Sequence, residues 1–231
     1  RTSGKEYTQI LNSRQHTMKK GKTVNTKKRK KPAVKPVKPT VSKKEKPVTV
    51  KAEKAKPEVI DKKVYPIGKH KLPEQFSEQV RNKMIIEISV LPEHLKSVAK
   101  KIKKKKLQNT YRDGGWTVEQ LIHHLADSHM NAYIRFKLAL TENNPTIKPY
   151  DENLWAETAD IPASSVKDSI RILRGLHKRW TALLENMTKE DWKRTFFHPE
   201  YKRTVTLEDA LSQYAWHGKH HVAQIQTALK A

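Results

Sequence analysis

The sequence predicts an all-α protein, a four-helix bundle over residues 65–231 preceded by a disordered basic tail over residues 1–64. Three observations lead there. Apolar residues recur at helical spacing in four long segments of the C-terminal region, with no convincing pair of strands between them. The net charge of +24 is unevenly placed: residues 1–64 hold 21 Lys/Arg against 5 Asp/Glu, or +16, and residues 65–231 hold the other 27 against 19, or +8. The tail is mostly Lys, Pro, Val and Thr, with Tyr7 its one aromatic side chain, which is too little apolar surface to offset the entropy of ordering.

Prolines 32, 36, 39, 47 and 57 keep the tail out of helix and favour extended chain. Its densest charge is Lys27, Lys28, Arg29, Lys30 and Lys31. Such an arm contacts polyanions by releasing counterions, so it is expected to touch nucleic acid without reading sequence. A solvated linker is the bland alternative. The chain opens on Arg1, which suits either a fragment or a true start nearer Met18.

Pro66 and Gly68 mark the turn into the domain. Phe76, Val80, Met84, Ile88 and Leu91 place a first helix over 74–90, with Pro92 opening a continuation through Leu95, Val98 and Ile102. Six lysines in residues 100–106 read as its solvated end. Thr117 and Gln120 have capping-box spacing, which starts a second helix over 117–141. Asn143, Asn144 and Pro145 stop it, and 145–162 is expected to be a long irregular connection. Val166, Ile170, Leu173, Leu176, Trp180 and Leu184 give a third helix over 164–187. A short turn opens at Thr188, and a polar hairpin or loop follows Phe196. Thr206 and Asp209 then cap a fourth helix whose buried face runs from Leu207 to Leu229.

The chain has no cysteine, so disulfides and thiolate ligands are excluded and any metal must be held by His, Asp or Glu. No run of 18 apolar residues offers a membrane span, and no apolar segment follows the basic stretch at Met18 as a signal peptide requires. A cytoplasmic protein is expected.

Histidines carry the chemistry. His123, His124 and His129 fall within seven residues of the second helix; His217, His220 and His221 fall within five of the fourth. His124 heads a polar line through Asp127, Ser128, Asn131 and Arg135, beside an apolar stripe. That line faces either solvent or a wet cavity. His217 and His221 stack at i and i+4, and His217 with His220 could also pair at i, i+3. Two such clusters on two amphipathic helices point to one metal, and neutral imidazoles suit zinc, nickel or iron. Three protein ligands leave coordination positions open, the catalytic pattern.

The segment YRDGGWTVEQLIHHLADSHMNAYIRFKLALTENNPTIKPYDENLW, with YAWHGKHHVAQI, resembles the DinB/YfiT-like superfamily, and within it the YfiT-type metal-dependent hydrolases, also called bacillithiol S-transferases. The resemblance runs from Tyr65 to about Leu229. It implies a four-helix bundle, a homodimer, and nickel or zinc held by three histidines. The family's ligands fall here on His124, before Leu-Ala-Asp, and on His217 and His221, before Val-Ala-Gln. The basic tail and the lysines of 100–106 depart from the family pattern.

The resemblance further implies transfer of a low-molecular-weight thiol, such as bacillithiol as co-substrate, to an electrophile. From their positions, Arg135 is expected to hold a carboxylate of an acidic thiol, and Tyr150 and Trp155 to close the pocket. The alternative is a hydrolase at the same site, with Asp127 as general base. A third expectation, of another class, is a nucleic-acid-associated protein acting through its tail.

Overall fold

The computed structural model describes residues 60–230, and these form the expected four-helix bundle. The tail lies outside the described residues except for 60–64, so the basic cluster of 27–31 does too. Within that short piece the Val64 carbonyl accepts a hydrogen bond from Gln224 Nε2 (2.9 Å), so contact with the bundle begins before Tyr65.

Helix α1, Glu78–Ala99, is capped by Ser77, whose hydroxyl accepts from the Val80 amide. The sequence suggested a break at Pro92, but one helix of 22 residues runs through it. A proline inside a helix withholds its N–H from the carbonyl one turn back, here that of Ile88. That carbonyl has another donor, His177 Nδ1 at 2.6 Å. Burial of Ile85, Ile88, Leu91 and Leu95 along the same face further offsets the defect. The lysines of 100–106 do not extend the helix. They form turns and a single 3-10 turn, Lys104–Lys106, since successive like charges oppose a continued helix.

Helix α2, Val118–Thr141, carries the full capping box of Thr117 and Gln120. The connection expected to be irregular contains two single-turn helices, α3 (Glu152–Trp155) and α4 (Asp160–Ala163). Asp151 caps the first by accepting from the Asn153 and Leu154 amides. Helix α5 spans Val166–Glu185 and the short α6 spans Lys189–Trp192, each with a capping box.

A second correction concerns strands. β1 (Thr195–His198) and β2 (Arg203–Thr206) pair antiparallel, Phe196 opposite Val205, with Lys202 at φ 49° in the turn. Four-residue strands are too short to show period-2 patterning. The hairpin also leans on the end of α2's connection, where the Phe197 amide donates to the Pro145 carbonyl. Helix α7, Leu207–Lys230, then begins with Thr206 accepting from the Asp209 amide.

Helices α1 and α2 each pack against both α5 and α7. The two helices first in sequence therefore occupy diagonal corners of the bundle. The buried apolar residues form two clusters. One, around Trp180, Phe136, Ile88 and Leu211, lies towards the hairpin; the other joins Leu91, Leu95, Leu121, Leu125 and Ile225. Between them lies a layer rich in buried histidine: His124, His129, His177 and His221.

Candidate metal centre

Position 124 on α2 and positions 217 and 221 on α7 fall in that layer where the two helices face each other. His217 Nε2 is 3.2 Å from His124 Nε2 and 3.0 Å from His221 Nε2. Among the described residues, these three are the one group of three His or carboxylate ligand atoms within 4.8 Å of one another. Nitrogens about 3 Å apart are what adjacent corners of an ion with M–N near 2.0–2.1 Å require. Burial pushes the His124 imidazole down to about 4 and holds His217 and His221 well below the usual range, their mutual repulsion adding to the effect. All three are neutral at pH 7, the form that donates a lone pair to a metal.

Two of the three have their second nitrogen occupied in a way that frees Nε2. His221 Nδ1 donates to Gln224 Oε1 (2.8 Å), and the Gln224 amide is itself oriented by donating to Val64. His217 Nδ1 lies 3.2 Å from His129 Nε2. Such outer contacts fix the tautomer and aim of a metal-binding imidazole. The residues thus fit a divalent cation on donor type, spacing and protonation.

The other histidines of both clusters are placed elsewhere. His123 points to Ser169 Oγ (2.8 Å). His220 stacks on Trp216, centroids 4.4 Å apart. His129 is fully buried and lies against His177, 3.0 Å from Nδ1 to Nε2.

His217 and His221 line a cleft of about 1100 Å³, and His124 lies next to His217 without lining it. Arg135 and Tyr150 line it, and Arg135 donates to the Tyr214 hydroxyl (3.0 Å). Ser128 and Tyr214 line it too, and burial pushes the Tyr150 and Tyr214 phenols up, so both stay protonated at neutral pH. Trp155 does not line the cleft; its ring lies against Tyr150 at 4.4 Å. Asp127 does not line it either. It sits on the far side of the polar line, where burial and the charge of Asp160 raise its carboxyl to about 6. Ser128, the next residue on the polar line, does line the cleft.

Sequence reasoning gave no site role to Tyr214, His177 or Trp116, whose ring lies 4.6 Å from His124, and named His129 only among the candidate ligands. The signal for Tyr214 was its place one turn before His217 on the same helix face. His177 gave none, since a lone histidine among the apolar positions of α5 reads as ordinary core.

Residues 88–225 match the model of the DinB superfamily. Over 161 residues the chain is 48% identical to "Putative metal-dependent hydrolase YfiT" of Bacillus subtilis (strain 168), covering 70% of this chain and 90% of that protein. A protein of Oceanobacillus iheyensis, "Putative metal-dependent hydrolase OB0782", is 47% identical over 166 residues, 72% of this chain and 95% of its own length. The solved structure of YfiT from Bacillus subtilis, described as having an unusual four-helix bundle topology, superposes with a TM-score of 0.71 at 46% identity, covering 74% of this chain and 97% of that one.

Proposed function

The chain belongs to the DinB superfamily, and from that footing we propose that it is a divalent-metal-dependent enzyme that transfers a low-molecular-weight thiol to an electrophile. The observation that carries the proposal is a set of three neutral imidazole nitrogens, two of whose rings line a cleft of about 1100 Å³, room for two small molecules side by side. A divalent ion held by His124, His217 and His221 supplies a positive charge that favours thiolate over thiol.

The chain's own groups do the rest. Trp116 lies against His124 and an apolar cluster lies on either side of the histidine layer, low-dielectric surroundings that strengthen charge interactions there. Arg135, held by Tyr214, offers a guanidinium to a carboxylate of the thiol. The Tyr150 hydroxyl donates to oxygen of either reactant. The thiol loses its proton to solvent, its sulfur forms the new S–C bond, and the electrophile's leaving group departs with the electron pair of the bond that breaks.

Hydrolysis is the second reading, favoured by the descriptions of the relatives. Asp127 is a poor choice of base for it, because that carboxylate lies outside the cleft. The acids that do line the cleft, Glu152 and Glu200 among them, are the better candidates.

The test uses full-length protein loaded with zinc or nickel, a bacillithiol-type thiol and a thiol-reactive dye. Conjugation well above the metal-free control, lost in His124→Ala together with the bound metal, is expected. Conjugation equal to that control would sink thiol transfer. Metal retained at full stoichiometry by His124→Ala would refute the ligand set.

A further inference from the structure

The hydrogen bonds behind His217 have a direction. The Ile88 carbonyl oxygen can only accept, so His177 Nδ1, 2.6 Å away, carries the ring's proton. A neutral imidazole has one N–H, so His177 Nε2 is an acceptor. Facing it at 3.0 Å is His129 Nδ1, which must donate. By the same rule His129 Nε2 accepts, and it meets His217 Nδ1 at 3.2 Å. His217 is thereby the Nδ1–H tautomer, with the lone pair of Nε2 turned towards His124 and His221. Reversing any one ring would set two N–H groups, or two lone pairs, against each other in a buried layer, an uncompensated polar contact.

The chain of bonds starts from a carbonyl that an ordinary helix would not offer. Ile88 lies four residues before Pro92, and proline has no N–H to occupy that oxygen. The bonds then pass from α1 to His177 on α5, His129 on α2 and His217 on α7, touching all four long helices. His129 and His177 are buried, their ring planes 10° apart and their centroids 5.0 Å apart, with the edge of Trp180 against both.

We propose that Pro92, by freeing the Ile88 carbonyl, fixes through His177 and His129 the tautomer and aim of His217, so that its Nε2 is presented to the metal. His129 and His177 are positioning residues, an assignment whose purpose rests on the three-histidine metal site proposed above.

The full-length protein is labelled with ¹⁵N-histidine, treated with EDTA, and examined by long-range ¹H–¹⁵N correlation at pH 7.5. Nδ1–H tautomers are expected at His177, His129 and His217; an Nε2–H tautomer at any of them overturns the proposal. Pro92→Ala, which returns an N–H to the Ile88 carbonyl, is expected to shift the His177 Nδ1 signal, and an unmoved signal removes proline from the chain. Zinc affinity is then measured by competition with a chromophoric chelator. His129→Leu is expected to bind about 10- to 100-fold more weakly at unchanged stoichiometry. Trp180→Phe, which perturbs the packing of the same two rings, is expected to stay within about twofold. A His129→Leu affinity equal to wild type would overturn the relay. Failure of the wild-type protein to take up zinc would overturn the metal site instead, and the metal-free tautomers would still decide the relay. The same spectrum decides it if His129→Leu does not fold.

Discussion

Gly218→Ala puts a methyl group into the contact between α7 and Leu91 of α1. A Cβ at 218 would lie 2.5 Å from Leu91 Cδ2, 3.2 Å from Cδ1 and 3.3 Å from Cγ. Carbon atoms pack at about 3.5–4.0 Å, so the nearest overlap is roughly 1 Å. Leu91 is only 3% exposed and packs within the cluster of Leu95, Leu121 and Ile225, so it cannot swing away into solvent. Overpacking of this kind costs about 1–3 kcal/mol. Against it, alanine gains about 0.8–1.0 kcal/mol over glycine in a helix interior. The net expectation is a loss of about 1 kcal/mol, or about 2–4 °C in Tm for a domain of this size. The assay is thermal and guanidinium unfolding of metal-free full-length protein. Leu91→Ala alone is expected to cost about 2–5 kcal/mol, the cavity term included. In the double variant the new methyl fills part of that cavity, so the combined loss should fall short of the sum by about 0.5–3 kcal/mol. Additive effects, or a Gly218→Ala protein more stable than wild type, would refute the packing argument.

Three further outcomes follow from the same geometry. Burial takes His124 and His177 down to about 4, whereas in the unfolded chain each titrates at about 6.5. The unfolded state therefore binds more protons between these values, so metal-free stability is complete above pH 6.5 and falls as pH drops towards 4, by up to about 1.4 kcal/mol per pH unit and group. Urea midpoints in EDTA at pH 7.5 and 5.5 check this, and equal midpoints would contradict it. Thr117→Ala removes the cap of α2 and should cost about 1 kcal/mol, read as a drop in Tm; no drop would mean the cap is replaced by water. Arg135→Gln should raise KM for an acidic thiol about 10- to 100-fold, with a smaller change in kcat, as expected for loss of a charged hydrogen bond of about 1.5–3 kcal/mol. An unchanged KM would take Arg135 out of the binding site.

What could be read from the sequence was local. The caps at Thr117 and Thr206 satisfy amides within three residues of themselves, so residue type and spacing suffice to place those helix starts. The continuity of α1 through Pro92 was not legible, because the donor that rescues the Ile88 carbonyl arrives from His177, 89 residues away. The strands at 195–198 and 203–206 owe their existence to each other and to the connection at Pro145. In the site, periodicity put His124, Ser128 and Arg135 on one line but could not say which helix that line faces. For the same reason Asp127 looked as eligible as Ser128 until α4, carrying Asp160, was seen to lie beside it.

The diagonal placement of α1 and α2 has a kinetic side. Neighbours in sequence normally zip into an antiparallel pair early, because closing a short loop costs little entropy. Here α1 gains its partners only when α5 and α7 arrive, and His124 meets His217 across a separation of 93 residues. The histidine layer is thus a late arrival in folding, and contacts made late govern the escape from the folded state more than entry to it. We predict that a cation bound there slows unfolding and leaves the refolding rate almost unchanged. Stopped-flow measurements with and without zinc read both rates directly, and zinc-accelerated refolding would show that the layer assembles early.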